Sequence, residues 1–393
     1  MPLPSRARLP EPGAAVLIAA ASARALAQAA RRAGYRPLGA DFFDDADTRE
    51  LCAENRLVEG GLGTGFTEGN LIPALELLSA HAAPCGLVYG AGFEDRADLL
   101  EALARRWTLF GNTPGAVRHA KDPFRLAALC ETLDIPHPEI SARLPSDSQH
   151  WLVKSAGGSG GTHVVPAADF CAEGEGLYFQ RKAAGEPISV QFLADGRRAR
   201  VIGLSRQWAA PVPGAPFRFG GIMRPANLPP RMEKKLRQAA EAVTEACGLR
   251  GLNSIDFLVD ESAYTLIEIN PRPGAALDIF EDRKGSHFQA HLEACAGCLP
   301  GYPLEFTGAA AAAIAYVPEY VASLPDFDWP GWSADRQKAA SELQAHDPLC
   351  TIKARADKPV RARALADART SLVLGRITHS QNNNINLGKE TAP

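Results

Sequence analysis

The stretch from Leu252 to Gly274 constrains this chain more than any other. It reads as two strands of alternating character joined by a tight polar turn at Glu261-Ser262-Ala263. If the turn is symmetric about Ser262, Asp256 faces Glu268 and Ser254 faces Asn270 across the ribbon. Side chains alternate along a strand, so Asp256, Glu268 and Asn270 share one face. Ile255, Phe257, Val259, Ile267 and Ile269 occupy the other, an apolar set fit for a core. Two carboxylates that face each other across strands repel, and the arrangement is costly unless a cation lies between them. Oxygen donors alone favour a hard cation, Mg²⁺ or Mn²⁺, over zinc. Beyond Asn270, the run Pro271-Arg272-Pro273 fixes one arginine and aims its fork of donors at the same place. Two carboxylates on the polar face of a hairpin are equally what a solvated sheet edge presents.

The 393 residues suffice for two or three domains, and 46% hydrophobic content supports substantial cores. A net charge of -3 leaves no basic surface that would make nucleic acid the main partner. Eight scattered cysteines suit reduced thiols in a cytoplasmic enzyme. Cys295 and Cys298 form one CxxC with no second pair, which fits helix packing better than a metal site. The apolar run Ala14 to Ala23 follows Arg6 and Arg8 as an export signal would, yet Arg24, Arg31 and Arg32 carry its pattern into a helix. It is too short to span a bilayer, and no membrane partner is expected.

After a proline-rich leader, residues 14–41 alternate strand, helix and strand, with an acidic residue at the tip, the opening of a Rossmann-like unit. No GxGxxG follows, so no dinucleotide is inferred. Gly86 to Gly90 is a strand opening into Gly-Ala-Gly, a helix covers Asp95 to Arg106, and this domain is expected to span residues 14–113. Lys121-Asp122-Pro123 reads as a helix start, with Asp122 as cap. Between two short apolar strands, Gly157, Gly158, Ser159, Gly160 and Gly161 form a hairpin loop of exposed backbone N–H groups, with Lys154 on the strand before it. Such a loop closes over a polyphosphate or is an ordinary mobile hairpin. Leu177 to Gly196 reads as two strands bent at Gly185. Phe217 to Pro225 reads as a structured loop whose Arg218 and Arg224 would cover an anionic substrate. Helices are expected over Glu233 to Cys247 and Ser286 to Cys295, and a third, terminal one over Val360 to Leu374. Residues 301–379 are expected to be a small β-rich lobe that opens with the alanine-rich strand Ala311 to Val317, and 380–393 a disordered tail.

The hairpin from Asp256 to Glu-Ile-Asn-Pro-Arg resembles the metal-binding signature of the ATP-grasp superfamily, and the order Lys121, Lys154, glycine loop, hairpin is the order that family uses. The resemblance implies a multidomain α/β and α+β fold: a Rossmann-like domain, an ATP-grasp fold of two α+β lobes over residues 114–300 (about 120–185 and 186–300), and the C-terminal lobe. It implies ATP bound by Lys121, Lys154, the glycine loop, Gln180, Arg181, Lys182 and Glu186, although Pro187 stands where a ribose-binding carboxylate is common. It implies Mg²⁺ (or Mn²⁺) on Asp256, Glu268 and Asn270, and catalytic roles for Arg272 and Lys154. Ser22 and Arg24 in the first domain become substrate candidates beside Arg218 and Arg224. The activity implied is a carboxylate–amine ligase forming ADP, similar to tyramine–glutamate ligases and to those of methanofuran or tetrahydromethanopterin biosynthesis. Its partners would be small-molecule acids and amines, and its assembly a homodimer. A biotin-carboxylase-like enzyme and a non-catalytic ATP-binding protein are the alternatives.

Overall fold

The structure, a computed structural model, describes residues 9–61, 63–170, 176–280, 286–326 and 328–390. Its N-terminal domain is a parallel sheet of β1 (Ala15–Ala19), β2 (Arg36–Asp41), β3 (Glu54–Leu57), β4 (Leu87–Tyr89) and β5 (Leu109–Phe110), in the order 3-2-1-4-5. β1 is buried along its whole length, as an apolar strand covered on both faces must be. Helices α1 (Arg24–Arg32), α2 (Ala46–Leu51), α3 (Glu68–Ala80) and α4 (Ala97–Ala104) connect the strands. Strand order reverses between β1 and β4, which opens a crevice at their carboxyl ends.

α5 (Pro114–Lys121) starts at Thr113, whose hydroxyl accepts from the Ala116 amide. Asp122 ends α5 and caps α6 (Pro123–Thr132), accepting from the Phe124 and Arg125 amides. Lys121 is thus the last residue of a helix that the sequence reading lacks, and not only the residue before one. A four-stranded antiparallel sheet follows: β6 (Ile140–Ser141), β7 (Trp151–Ser155), β8 (Val164–Pro166) and β9 (Leu177–Arg181), in the order 6-9-7-8. The glycine loop joins β7 to β8.

The remaining strands form one sheet of eight. β10 (Glu186–Asp195), β11 (Ala199–Ala209) and β12 (Phe219–Arg224) precede α7 (Pro230–Cys247), which ends at the left-handed Gly248. β13 (Arg250–Val259) and β14 (Tyr264–Asn270) are the hairpin read from the sequence, followed by α8 (Ser286–Cys295). β15 (Ala309–Tyr316), β16 (Ser333–Ala334), β17 (Pro348–Ala356) and α9 (Pro359–Glu390) complete the chain. The strand order is 14-13-10-11-12-15-17-16.

Two expectations change. Phe219 to Arg224 is a strand and not a loop, because it pairs with β11 on one side and β15 on the other. The strands of the C-terminal β-rich lobe, β15 and β17, extend the large sheet through the pairing of β15 with β12. Finally, α9 passes through residues 380–390, where a disordered tail is expected, since no proline interrupts it; residues 391–393 lie outside the described residues.

Candidate functional site

The hairpin pairs Asp256 with Glu268 and Ser254 with Asn270, the register expected from the turn. A β-bulge between Asp256 and Phe257 then shifts the pairing, so that Phe257 faces Leu266. Leu266 therefore enters the core beside Ile255, Phe257, Val259 and Ile269, and Ile267 turns instead to line the cleft next to Glu268. The expected apolar face was wrong at that one residue.

Four elements bring charge to the polar face. Lys121, at the end of α5, forms an ion pair with Glu268. Lys154 on β7 is buried, lies 5.8 Å from the centre of the Tyr178 ring and donates to Gln180 Oε1 at 3.2 Å. Asp256 accepts from Gln207 Nε2 at 3.0 Å and from Asn270 Nδ2 at 2.9 Å. Arg272 donates through Nε to Glu94 Oε1 at 2.8 Å and through Nη2 to Asn270 Oδ1 at 3.4 Å.

Electrostatics separates the two hairpin carboxylates. Burial, and then the Glu268 charge opposite, push Asp256 up to about 6. Burial acts on Glu268 too, but the ammonium groups of Lys121 and Lys154 outweigh it and bring the carboxyl down to about 2. Burial lowers Lys154, Lys121 adds to that effect, and Glu268 and Asp256 oppose it. Among the described residues no group of three or more His, Cys, Asp and Glu gathers as a metal site. The donor set here is two carboxylates and an amide oxygen. The repulsion that raises Asp256 is what a hard divalent ion would relieve, so these residues fit Mg²⁺ or Mn²⁺.

Glu94 is a residue the sequence reading missed. It is buried in the loop after β4, its Oε2 accepts from the Gly92 amide at 2.7 Å, and it meets Arg272 across 178 residues of sequence. Burial would raise its carboxyl; Arg272 and Lys121 more than compensate and hold it below the usual range. The legible signal was Gly90-Ala-Gly92 directly after a buried strand, at the crevice where parallel sheets bind ligands. Asn112 was missed as well. It is buried, its Nδ2 donates to Asn253 Oδ1 at 2.7 Å and to the Pro271 carbonyl at 2.8 Å, and its Oδ1 accepts from the Arg250 amide at 2.7 Å. This one side chain ties the N-terminal domain to both ends of the hairpin.

The glycine loop lies over the cleft and is fastened at its far end. The Phe219 amide donates to the Gly160 carbonyl at 2.8 Å. Gly161, at φ +75°, passes so close to the Phe217 carbonyl that a Cβ would sit 2.0 Å from the oxygen. Below the loop, the cleft is lined by Lys121, Lys154, His163, Tyr178, Ile267 and Glu268.

Other sequence candidates lie apart from this cluster. Arg181 and Lys182 are exposed; the Arg181 guanidinium lies 5.8 Å from the Trp151 ring, and Glu186 is exposed and paired with Arg206. Gln180 is buried and reaches the cluster through Lys154. Arg24 is buried between Asp278 (2.5 and 2.7 Å) and Asp335 (3.0 and 2.7 Å), and Ser22 donates to Asp335 at 2.8 Å. These two join the first domain to residues 278 and 335. Arg218 lies 3.7 Å from the Tyr316 ring and donates to the Ala210 and His346 carbonyls. Arg224 is buried, donates to the Ile279 and Gly308 carbonyls, and is lowered to about 10 by burial with Arg355 nearby.

Residues 121–276 match a family model described as an ATP-grasp domain. A 52-residue segment is 40% identical to a D-alanine–D-alanine ligase of Chlorobium luteolum, covering 13% of this chain and 14% of that protein's length. Among solved structures, a biotin carboxylase complex with β-γ-ATP from Campylobacter jejuni superposes with a TM-score of 0.65 at 15% identity, over 88% of this chain and 89% of that one. An ADP complex of purK, an N5-carboxyaminoimidazole ribonucleotide synthetase, does so with a TM-score of 0.67 at 13% identity, over 95% and 99%. No described helix is long and apolar enough to cross a membrane.

Proposed function

With an ATP-grasp domain at residues 121–276 as premise, we propose that this protein is an ATP-dependent ligase that activates a substrate carboxylate as an acyl phosphate and joins it to an amine, with release of ADP and phosphate. The observation that carries the reading is the convergence of Lys121, Lys154 and Glu268 under one glycine loop, with Asp256 paired opposite Glu268 on the same hairpin, and Asn270 hydrogen-bonded to Asp256 and to Arg272. Solved structures of the same fold hold ATP analogues or ADP, which supports ATP here.

Each side chain has a task in that chemistry. Asp256, Glu268 and Asn270 would hold Mg²⁺ or Mn²⁺, which supplies neutralisation of phosphate charge. Lys121 and Lys154 would meet the phosphates from two sides, and the exposed amides of Gly157 to Gly161 would cover them and exclude water. Arg272, held by Glu94 on one side and Asn270 on the other, would steady the anionic acyl phosphate. The crevice at the carboxyl ends of β1 and β4 opens beside Glu94 and is the natural entry for the acid or the amine.

The test is an ADP-release screen of carboxylic acids crossed with amines, with product masses measured. Turnover with no pair, alongside bicarbonate-dependent ADP release, would replace this reading with a second one. The superposition on biotin carboxylase favours that second reading, a bicarbonate-activating enzyme. The narrower assignment, a ligase of one-carbon-carrier biosynthesis like tyramine–glutamate ligase, rests on the sequence resemblance alone; the screen reaches it by including tyramine with glutamate. A cytoplasmic homodimer acting on small molecules, without nucleic acid or membrane partners, completes the proposal.

A further inference from the structure

Residues 335–338, between β16 and β17, are clasped to the loop and helix that follow β2. Arg336 pairs with Asp47 and, at 2.8 Å, with Glu50; Lys338 donates to Asp44 at 3.0 Å, and the Ala46 amide donates to the Arg336 carbonyl at 3.0 Å. Asp335 accepts from Ser22 and Arg24, which follow β1, so the clasp lies along one wall of the crevice at the ends of β1 and β4. One carboxylate inside it lacks a counterion. Asp45 is buried, accepts from the Thr48 amide at 2.9 Å and the Thr48 hydroxyl at 2.8 Å, and among the described residues pairs with no cation. The charges that face it are Asp335, from the clasped segment, and Asp41, from the tip of β2. The described cations around it are engaged elsewhere: Arg24 by Asp278 and Asp335, Arg49 and Lys338 by Asp44, Arg336 by Asp47 and Glu50. The thiols of Cys52 and Cys350 stay neutral, since burial pushes both up.

We propose that Asp45 is a proton-operated catch for this clasp: protonated, it allows residues 335–338 to lie against the first domain, and ionised, it repels Asp335 and loosens them. Two facing buried carboxylates do not both ionise without cost. Burial works against the Asp335 charge, but Arg24 outweighs it and brings that carboxyl down to about 2, so the proton of the pair resides on Asp45. Burial, and then the Asp335 charge, push Asp45 up to about 7. A group raised in this way binds its proton more tightly in the clasped state than in an exposed one, so the clasp is firm in acid and slackens as pH rises through about 7. Against an exposed carboxyl at 3.8, closure is favoured about tenfold more at about pH 6 than at about pH 8.5.

The experiment is hydrogen exchange on the full chain at about pH 6 and about pH 8.5, corrected for the intrinsic pH dependence of amide exchange. It follows peptides over residues 42–50 and 333–340, with β13 as the reference. In the parent, protection of the first two should fall about tenfold at the higher pH while β13 holds. D45N keeps a helix-capping side chain and cannot ionise, so its protection should be high and equal at both pH values. D45S, a second uncharged cap, takes its place if D45N does not fold. Equal protection of the parent at both pH values, the same fall in the uncharged variant, or a fall shared by β13 overturns the proposal. None of these outcomes bears on the ATP site, since no substrate or nucleotide enters the measurement.

Discussion

Asp256→Asn removes a charge that the folded chain holds at a cost. The carboxyl moves from 3.8 to about 6 on folding, through burial and the facing Glu268. A group raised in this way binds its proton more tightly when folded, so stability falls as pH climbs from 3.8 through about 6, and the cost is complete above that window. The gap corresponds to about 3 kcal/mol at about pH 8 and roughly half of that at about pH 5. Hydrogen bonding offsets part of the gain. Gln207 and Asn270 both donate to the carboxylate, whereas an amide accepts at one atom only. Gln207 can turn its amide to present its oxygen, which limits this loss to about 1 kcal/mol. D256N should therefore be more stable than its parent by about 1–2 kcal/mol at about pH 8 in EDTA, and nearly equal to it at about pH 5. Thermal unfolding of both proteins at the two pH values, with and without Mg²⁺, measures this. Mg²⁺ should raise the parent's midpoint and leave that of D256N unmoved. A variant no more stable than the parent at the higher pH in EDTA would refute the argument that the two carboxylates repel each other in the absence of a cation.

Glu268→Gln leaves two buried ammonium groups without their shared counterion. The stabilisation from this carboxyl is present above its ordinary 4.5 and lost as pH falls toward about 2, so the variant should be destabilised at neutral pH and converge on the parent in acid. Its Mg²⁺-dependent ADP release should fall about 100-fold or more, with the circular dichroism spectrum retained. Glu94→Gln keeps the acceptor for the Gly92 amide and removes the charge facing Arg272; kcat should drop about tenfold while KM for ATP holds, and an unaltered kcat would count against that coupling. Asn112→Ala deletes three hydrogen bonds between the first domain and the hairpin, two of them buried, and a loss of about 2–4 kcal/mol in denaturant unfolding is expected.

The parts of the site that were legible depend on local order. Asp256 opposite Glu268 follows from strand alternation and a short turn, both properties of contiguous residues. The bulge that sends Ile267 to the cleft and Leu266 to the core was not legible, because it carries no glycine or proline to mark it. Partners distant in sequence were not legible either. Arg24, Arg218 and Arg224 read alike as cations available to a substrate, and only the folded chain sets Asp278 and Asp335, Tyr316, or two backbone carbonyls against them. Glu94 shows the converse, an unremarkable loop carboxylate given its role by an arginine far along the chain. The alanine-rich stretch declared itself a strand, but its composition could not say that it would lie beside β12.

That pairing decides how the protein can be cut. A shortened version ending near residue 300 would keep every residue assigned to the phosphates and the ion, yet it would strip β12 of the backbone partners that Ala310 to Ala313 provide. Gly221 to Arg224 would then present a bare rim of amides and carbonyls, an invitation to self-association. The last quarter of the chain is for this reason a wall of the same building as the hairpin, and attempts to isolate the nucleotide-handling half should end in insoluble material.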